Sequence, residues 1–253
     1  MGDEKPNVIF VWSTPRSVST PFERCFKDRP DVSVVHEPFA ECYYYGPART
    51  SSRYGDRAGQ AEFTPDAAVK RIYDGAQRAS VVVKDAAFQA YHYVSDRHLR
   101  EWSHAILIRH PYSIARSLSN LKHDFTRDEL GFEPLRAVVD RMGYVPPVME
   151  GDRFTADPAA TLRRFCSAFR LRYLPGYDRW EAGQVRDWTA DEYSAHARWH
   201  TRLHASKGIE PSAKVPTRAE VEALGFTREQ MAAVDHAVAI YDELVPFAIS
   251  PAA

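Results

Sequence analysis

The stretch that most constrains this chain is Val8–Trp12, followed at once by Ser13-Thr14-Pro15-Arg16-Ser17-Val18-Ser19-Thr20. Five apolar, β-branched or aromatic residues without a charge predict a strand buried on both faces. The eight residues after it predict a tight turn that opens a helix over Ser17–Lys27. In that reading Thr14 caps the helix and Pro15 takes the first helical position, where a missing N–H costs nothing. A strand ending in hydroxyls and one fixed cation, then a helix, is a place for an anion. The helix N-terminus offers free N–H groups and the positive end of its dipole. Arg16 adds a full charge, and Ser17, Ser19 and Thr20 add donors.

Three further short apolar runs, Val32–His36, Ser80–Lys84 and Ala105–Ile108, have the same buried-strand character. Helical spacing lies between and after them, over Pro65–Gln77, Tyr112–His123 and Glu133–Met142. The alternation predicts an α/β fold with a central parallel sheet flanked by helices. Ligands bind such sheets beyond the C-terminal ends of the strands, where Thr14–Thr20, Glu37, Lys84-Asp85 and Arg109 all fall. The C-terminal part reads as helical, over Pro158–Arg170, Ala190–Ser206, Arg218–Leu224 and Thr227–Leu244. We expect it to pack on the sheet within one domain spanning residues 1–253. Tyr43–Gln60, rich in tyrosine and arginine and poor in apolar residues, reads as a long mobile loop of the kind that forms lids.

Composition narrows the function. A formal net charge of −1 in 253 residues argues against a nucleic-acid partner. No apolar run is long enough to span a bilayer, and Met1–Pro6 has no basic-then-apolar leader, so no membrane association is expected. Three dispersed cysteines, Cys25, Cys42 and Cys166, suit a reducing cytoplasm. There is no G-x-x-x-x-G-K-[ST] and no G-x-G-x-x-G, which removes the usual nucleoside-triphosphate and dinucleotide loops. A second anion signal remains. The fourth strand ends in Arg109-His110-Pro111, and Ser117 follows eight residues after Arg109 on the next helix, within reach of one phosphate.

Taken together these segments resemble the sulfotransferases that use 3′-phosphoadenosine 5′-phosphosulfate (PAPS). Ser13–Thr20 is similar to their T-x-P-[KR]-S-G-[ST]-T segment, which implies that Thr14, Pro15, Arg16, Ser17, Val18, Ser19 and Thr20 bind the 5′-phosphosulfate. Arg109 and Ser117 match the pair that holds the 3′-phosphate. Glu37-Pro38 and Lys84-Asp85 resemble the second and third strand ends of bacterial members. Trp180–Gly208, with Trp199-His200 and Ser206-Lys207-Gly208, looks like the late segment that folds over the nucleotide. Two departures stand out. The family glycine is Val18, which implies ordinary helical angles there or a looser fit to the sulfonate. The histidine that follows the third-strand lysine in many members is replaced by Ala86-Ala87.

The resemblance implies transfer of a sulfonate from PAPS, with 3′-phosphoadenosine 5′-phosphate (PAP) as product, to a hydroxyl, or second an amine, of a small molecule. In-line displacement at sulfur needs a cation at the sulfonate and a base at the nucleophile. Arg16 fits the first role. Glu37 is the first choice for the second and His36 its nearest rival, with His92 and His123 behind; Lys84 joins them at the strand ends. Alternation along β-structure points His36 to the face opposite Glu37. No metal is expected. His196, His200 and His204 recur every four residues, but a partly buried helix face explains them better than zinc does. Arg49, Arg53 and Arg57 read as a solvated loop, and Trp180, Trp188 and Trp199 as packing residues. Two rivals stay open: a PAP-binding partner protein that has lost catalysis, and an atypical small-molecule kinase. The acceptor, the oligomeric state and any protein partner are not legible.

Overall fold

Five strands form one sheet in the order β2-β3-β1-β4-β5, and every pairing is parallel. They are β1 (Val8–Ser13), β2 (Val32–His36), β3 (Ser80–Ala86), β4 (Ser103–Ile108) and β5 (Val148–Glu150). The computed structural model describes residues 7–53, 60–77, 79–183, 204–249 and 251. The first four strands are those predicted, with β1 longer by one residue and β3 and β4 by two each. β5 was not anticipated. Three residues behind Pro146-Pro147 are too few to show a period.

Alternation along the strands sorts the core into two layers. Ile9 and Val11 of β1, with Val82 of β3, face a layer built on Phe22, Cys25 and Phe26 of α1 (Ser19–Lys27). Phe165 and Cys166 of the helix Pro158–Ala168 complete that layer. Phe10 and Trp12 of β1, with Val81 and Val83 of β3, face the opposite layer. That side is covered by the helices Pro65–Gly75, Ala87–Ala90, Asp96–Glu101, Pro111–Ser119, Phe132–Met142 and Arg228–Leu244. In this layer the indole N–H of Trp12 donates to His104 Nδ1 at 3.1 Å, and His104 Nε2 lies 3.1 Å from the Leu99 carbonyl. Burial pushes the His104 pKa down to about 4, so this histidine is a neutral core residue.

The turn after β1 differs from the prediction in three ways. The helix α1 begins at Ser19, not Ser17; neither Thr14 nor any other side chain caps it; and its N-cap, Val18, is left-handed at φ 62° and ψ 25°. Val18 therefore adopts the left-handed backbone that favours glycine instead of relaxing to helical angles. Arg16, at φ 57°, is left-handed as well. Left-handed geometry costs a non-glycine residue about 1–2 kcal/mol, so neighbours must hold it. Thr14 N–H donates to the Leu107 carbonyl at 3.0 Å, and Ser17 Oγ donates back to the Thr14 carbonyl at 2.6 Å. From below, Gly151 packs so closely that an added Cβ would lie 2.8 Å from the Ser17 carbonyl oxygen and 3.0 Å from Val18 Cγ2. Gly151→Ala is therefore expected to overpack the turn and lower the unfolding free energy by about 1–3 kcal/mol. Urea denaturation checks it, and an unchanged midpoint would show that the turn has slack.

Candidate active site

Two groups of side chains meet the C-terminal ends of the strands, one on each side of the β1 turn. On the β4 side lies a cavity of about 530 Å³. Arg16, Val18, Ser19 and Thr20 of the turn line it. So do Arg109 from the end of β4, and Ser113, Arg116, Ser117 and Asn120 from the helix Pro111–Ser119 and its end. Spacing of three and four residues puts these last four on one helix face. Ser206 and the segment from Gly208 to Ala213 close the far wall. That wall is anchored on the helix Gly151–Ala156: Ser212 N–H donates to Thr155 Oγ at 3.1 Å, and Thr155 Oγ donates to Ser212 Oγ at 2.9 Å.

Arg16 and Ser117, 101 residues apart, are joined by a 2.9 Å bond from Arg16 Nε to Ser117 Oγ. Arg109 Nε donates to Asp152 Oδ1 at 2.8 Å, and Arg109 Nη1 reaches the Arg16 carbonyl at 3.4 Å. The two predicted anion signals thus converge on one cavity, with Asp152 orienting Arg109. Asp152 was missed because nothing in its own neighbourhood marks it. One wall residue is short of a partner: the Ser113 hydroxyl is buried and makes no hydrogen bond among the described residues. A hydroxyl facing a cationic cavity suits an oxyanion acceptor.

Not every residue proposed for the nucleotide lines this space. Thr14, Pro15 and Ser17 build the turn behind the wall, and the buried Thr14 hydroxyl has no described partner. Lys207 is also absent from the wall, contrary to expectation, whereas its neighbours Ser206 and Gly208 are in it. The Lys207 carbonyl instead accepts from Trp180 N–H at 3.2 Å, and Ile209 N–H donates to the Asp178 carbonyl at 2.9 Å. Gly208 passes so close that a Cβ would sit 2.8 Å from the Asp178 carbonyl oxygen. The glycine is there for this approach, and Lys207 is the residue beside it. Trp180 packs on the α1 layer and under Arg24. Trp188, Trp199, His196, His200 and Arg57 lie outside the described residues.

On the β2–β3 side four charged or titratable groups cluster. Lys84, fully buried rather than an exposed strand-end cation, places Nζ 2.5 Å from Glu37 Oε1 and 3.8 Å from Glu23 Oε2. His36 Nδ1 lies 2.6 Å from Glu23 Oε2, and its Nε2 lies 3.8 Å from Glu37 Oε1. His36 and Glu37 therefore share one site instead of opposite faces. Alternation stops at His36, because Glu37 has turned left-handed at φ 37° and folds back over the strand end. Asp85 holds that bend. Its buried carboxylate accepts from Phe39 N–H and Ala86 N–H, both at 2.8 Å. Burial, with the Glu37 charge nearby, pushes the Asp85 pKa well above the ordinary carboxylate range. Of the other base candidates, His92 stacks on Tyr43, and His123 packs on Phe226.

A model of the family described as "Sulfotransferase domain" matches residues 7–233. The chain belongs to the sulfotransferase domain family. The chain is 27% identical over 216 residues to "Branched-chain-amino-acid aminotransferase-like protein 2" of Arabidopsis thaliana, covering 83% of this chain and 37% of the relative. It is 26% identical over 219 residues to the corresponding protein 1 of the same plant, covering 84% of this chain and 38% of the relative. The chain thus spans less than two-fifths of these relatives. Among solved structures it superposes on "Sulfotransferase Domain from the Curacin Biosynthetic Pathway" with a TM-score of 0.51 at 13% identity, covering 87% of this chain and 96% of that one. At that identity the likeness concerns the fold. No helix among the described residues is long and apolar enough to cross a membrane.

In the segment read as a loop, Tyr43–Gln60, the described residues 43–53 are more ordered than expected. It leaves a short helix, Ala40–Tyr44, and Tyr43 is buried against Phe88 and Ala86. Arg53 is not solvated. It grips Glu129 with Nε–Oε1 at 2.9 Å and Nη2–Oε2 at 2.8 Å, and Asp124 with Nη1–Oδ2 at 2.7 Å. Lys122 Nζ adds a 2.6 Å bond to Glu129 Oε1. Burial raises the Glu129 pKa, but the bonds from Lys122 and Arg53 outweigh it and hold the carboxyl below its ordinary 4.5. A depressed carboxyl pKa contributes stability that is complete above the unfolded value and lost as pH falls through the folded one. Wild type is expected to exceed Glu129→Gln by up to about 3 kcal/mol at neutral pH. The gap is expected to shrink progressively below pH 4.5. Urea unfolding of both proteins across this range checks it; a gap independent of pH would remove the ionised Glu129 from the account.

Proposed function

We propose that this sulfotransferase moves a sulfonate from PAPS to the hydroxyl of a small molecule. The observation that carries the reading is the convergence of Arg16, Arg109, Ser117 and the unpartnered Ser113 hydroxyl on one cavity at the uncapped start of α1. Two arginines from different strand ends suit a ligand with two separate anionic groups, which a 3′,5′-bisphosphate has. The nucleotide supplies a transferable sulfonate on a good leaving group. Arg16 and the first N–H groups of α1 hold the 5′ end and stabilise charge that grows on the leaving oxygen. Arg109, aimed by Asp152, and Ser117 hold the 3′-phosphate. Ser206 and Gly208–Ala213 cover the nucleotide and exclude water, which guards against hydrolysis of the donor.

The acceptor comes from the β2–β3 side. The aromatic group Tyr43, Tyr44 and Phe88 packs there on Ala86, two residues beyond Lys84, and gives that side an apolar wall. Proton removal falls to the Glu37–His36 pair at the end of β2.

The reading predicts selectivity. PAP binds much more tightly than AMP, and Arg109→Ala weakens PAP by about 1.5–3 kcal/mol, one to two powers of ten. The same substitution leaves AMP nearly unaffected. Calorimetric titration of both ligands checks this; equal weakening would take Arg109 off the 3′-phosphate, and no PAP binding by wild type would overturn the reading.

A further inference from the structure

The β2–β3 cluster contains a carboxylate that the reaction above does not use. Cα pairing sets His36 beside Lys84 and Lys84 beside Val11, all on the α1 side of the sheet. α1 covers them with Phe22, Cys25 and Phe26, and Glu23 sits in the same buried strip at 6% exposure. A carboxylate among phenylalanines needs a partner. Its Oε2 finds His36 Nδ1 at 2.6 Å. An ionised carboxylate only accepts, so Nδ1 carries the proton and Nε2 carries the lone pair. Nε2 makes no hydrogen bond to a described residue, and Glu37 Oε1 at 3.8 Å is beyond reach. Glu37 Oε1 is itself engaged by the buried Lys84 ammonium at 2.5 Å.

Resting on the sulfuryl-transfer reading, we infer that Glu23 is a positioning residue that fixes His36 with Nε2 as the proton acceptor, while Glu37 serves as the counter-ion of Lys84. The charges facing His36 are Glu23 from α1, Lys84 from β3 and Glu37 from its own strand end. With His36 neutral, two carboxylates and one ammonium leave one net negative charge in a nearly dry site. Uptake of one proton cancels it, so the cluster is built to receive the proton that the reaction releases. As the acceptor oxygen bonds to sulfur, its proton passes to Nε2. The bond between sulfur and the phosphate oxygen breaks, and its electron pair stays on the phosphate beside Arg16. The proton then leaves His36 to solvent.

Glu23→Gln, Glu23→Asp and Glu37→Gln test this in the whole 253-residue chain, by ¹⁵N-histidine NMR with and without PAP. His36→Gln assigns the signal. The expected result is an Nδ1–H tautomer for neutral His36 in wild type. In Glu23→Gln the neutral amide can present its NH₂ as readily as its oxygen to the ring, so the Nδ1–H preference weakens and both tautomers are populated. Glu23→Asp restores most of the preference. kcat falls about tenfold in Glu23→Gln and recovers in Glu23→Asp, while the Kd for PAP stays within about twofold, because Glu23 is not in the cavity wall. Glu37→Gln keeps the Nδ1–H tautomer. An Nε2–H tautomer in wild type overturns the inference, as does a kcat unchanged in Glu23→Gln or a tautomer preference lost only in Glu37→Gln. If Glu23→Gln does not fold, the wild-type tautomer decides. Failure of wild type to bind PAP would strike the reaction reading and leave the tautomer result standing, so the two failures are separable.

Discussion

The left-handed turn after β1 is the constraint on which the site depends. Arg16 and Val18 hold positive φ without being glycine. That geometry aims the start of α1 at the cavity and turns the Arg16 side chain toward Ser117. It also presents the Arg16 carbonyl to Arg109. Backbone of this kind persists only where surroundings over-determine it. Here the surroundings are Leu107 of β4 above the turn and Gly151 beneath it. The turn trades local strain for a fixed array of donors, and a fixed array does not have to reorganise as charge moves during reaction.

Sheet order then divides the labour. β1 is central, with β3 and β2 on one side and β4 and β5 on the other. Arg109 and Ser117 follow β4 and its helix, and the Lys84, Glu37 and His36 cluster follows β2 and β3. In the proposed reaction the sulfonate sits at the turn, between the two. The division also explains why Lys84 tolerates complete burial. It sits next to the turn, paired with Glu37 and close to Glu23, where an isolated ammonium would be unstable. Arg53 ties its segment to Glu129 by a contact 76 residues long in sequence.

The parallel sheet and the paired anion signals were legible because they rest on local pattern: apolar runs, a cation at each strand end, and the eight-residue step from Arg109 to Ser117. What escaped was non-local or conformational. β5 is too short to carry a period. The backbone of Val18 ran against its propensity, because tertiary contacts override a preference of 1–2 kcal/mol. Glu23 carries no signal of its own in the sequence, because its burial depends on how α1 packs over β2 and β3. The side of the strand on which Glu37 falls depended on a positive φ that no glycine announced. Arg53 and Asp152 took their roles from partners far along the chain.

The central claim is that one cavity, organised by the β1 turn, holds both phosphates of a single nucleotide. Phosphorus NMR of PAP titrated with the wild-type protein reads the two groups separately. The account predicts that the 5′ and 3′ resonances both shift and broaden together, saturating at the same protein concentration. Perturbation of the 5′ resonance alone, or of neither, would contradict it.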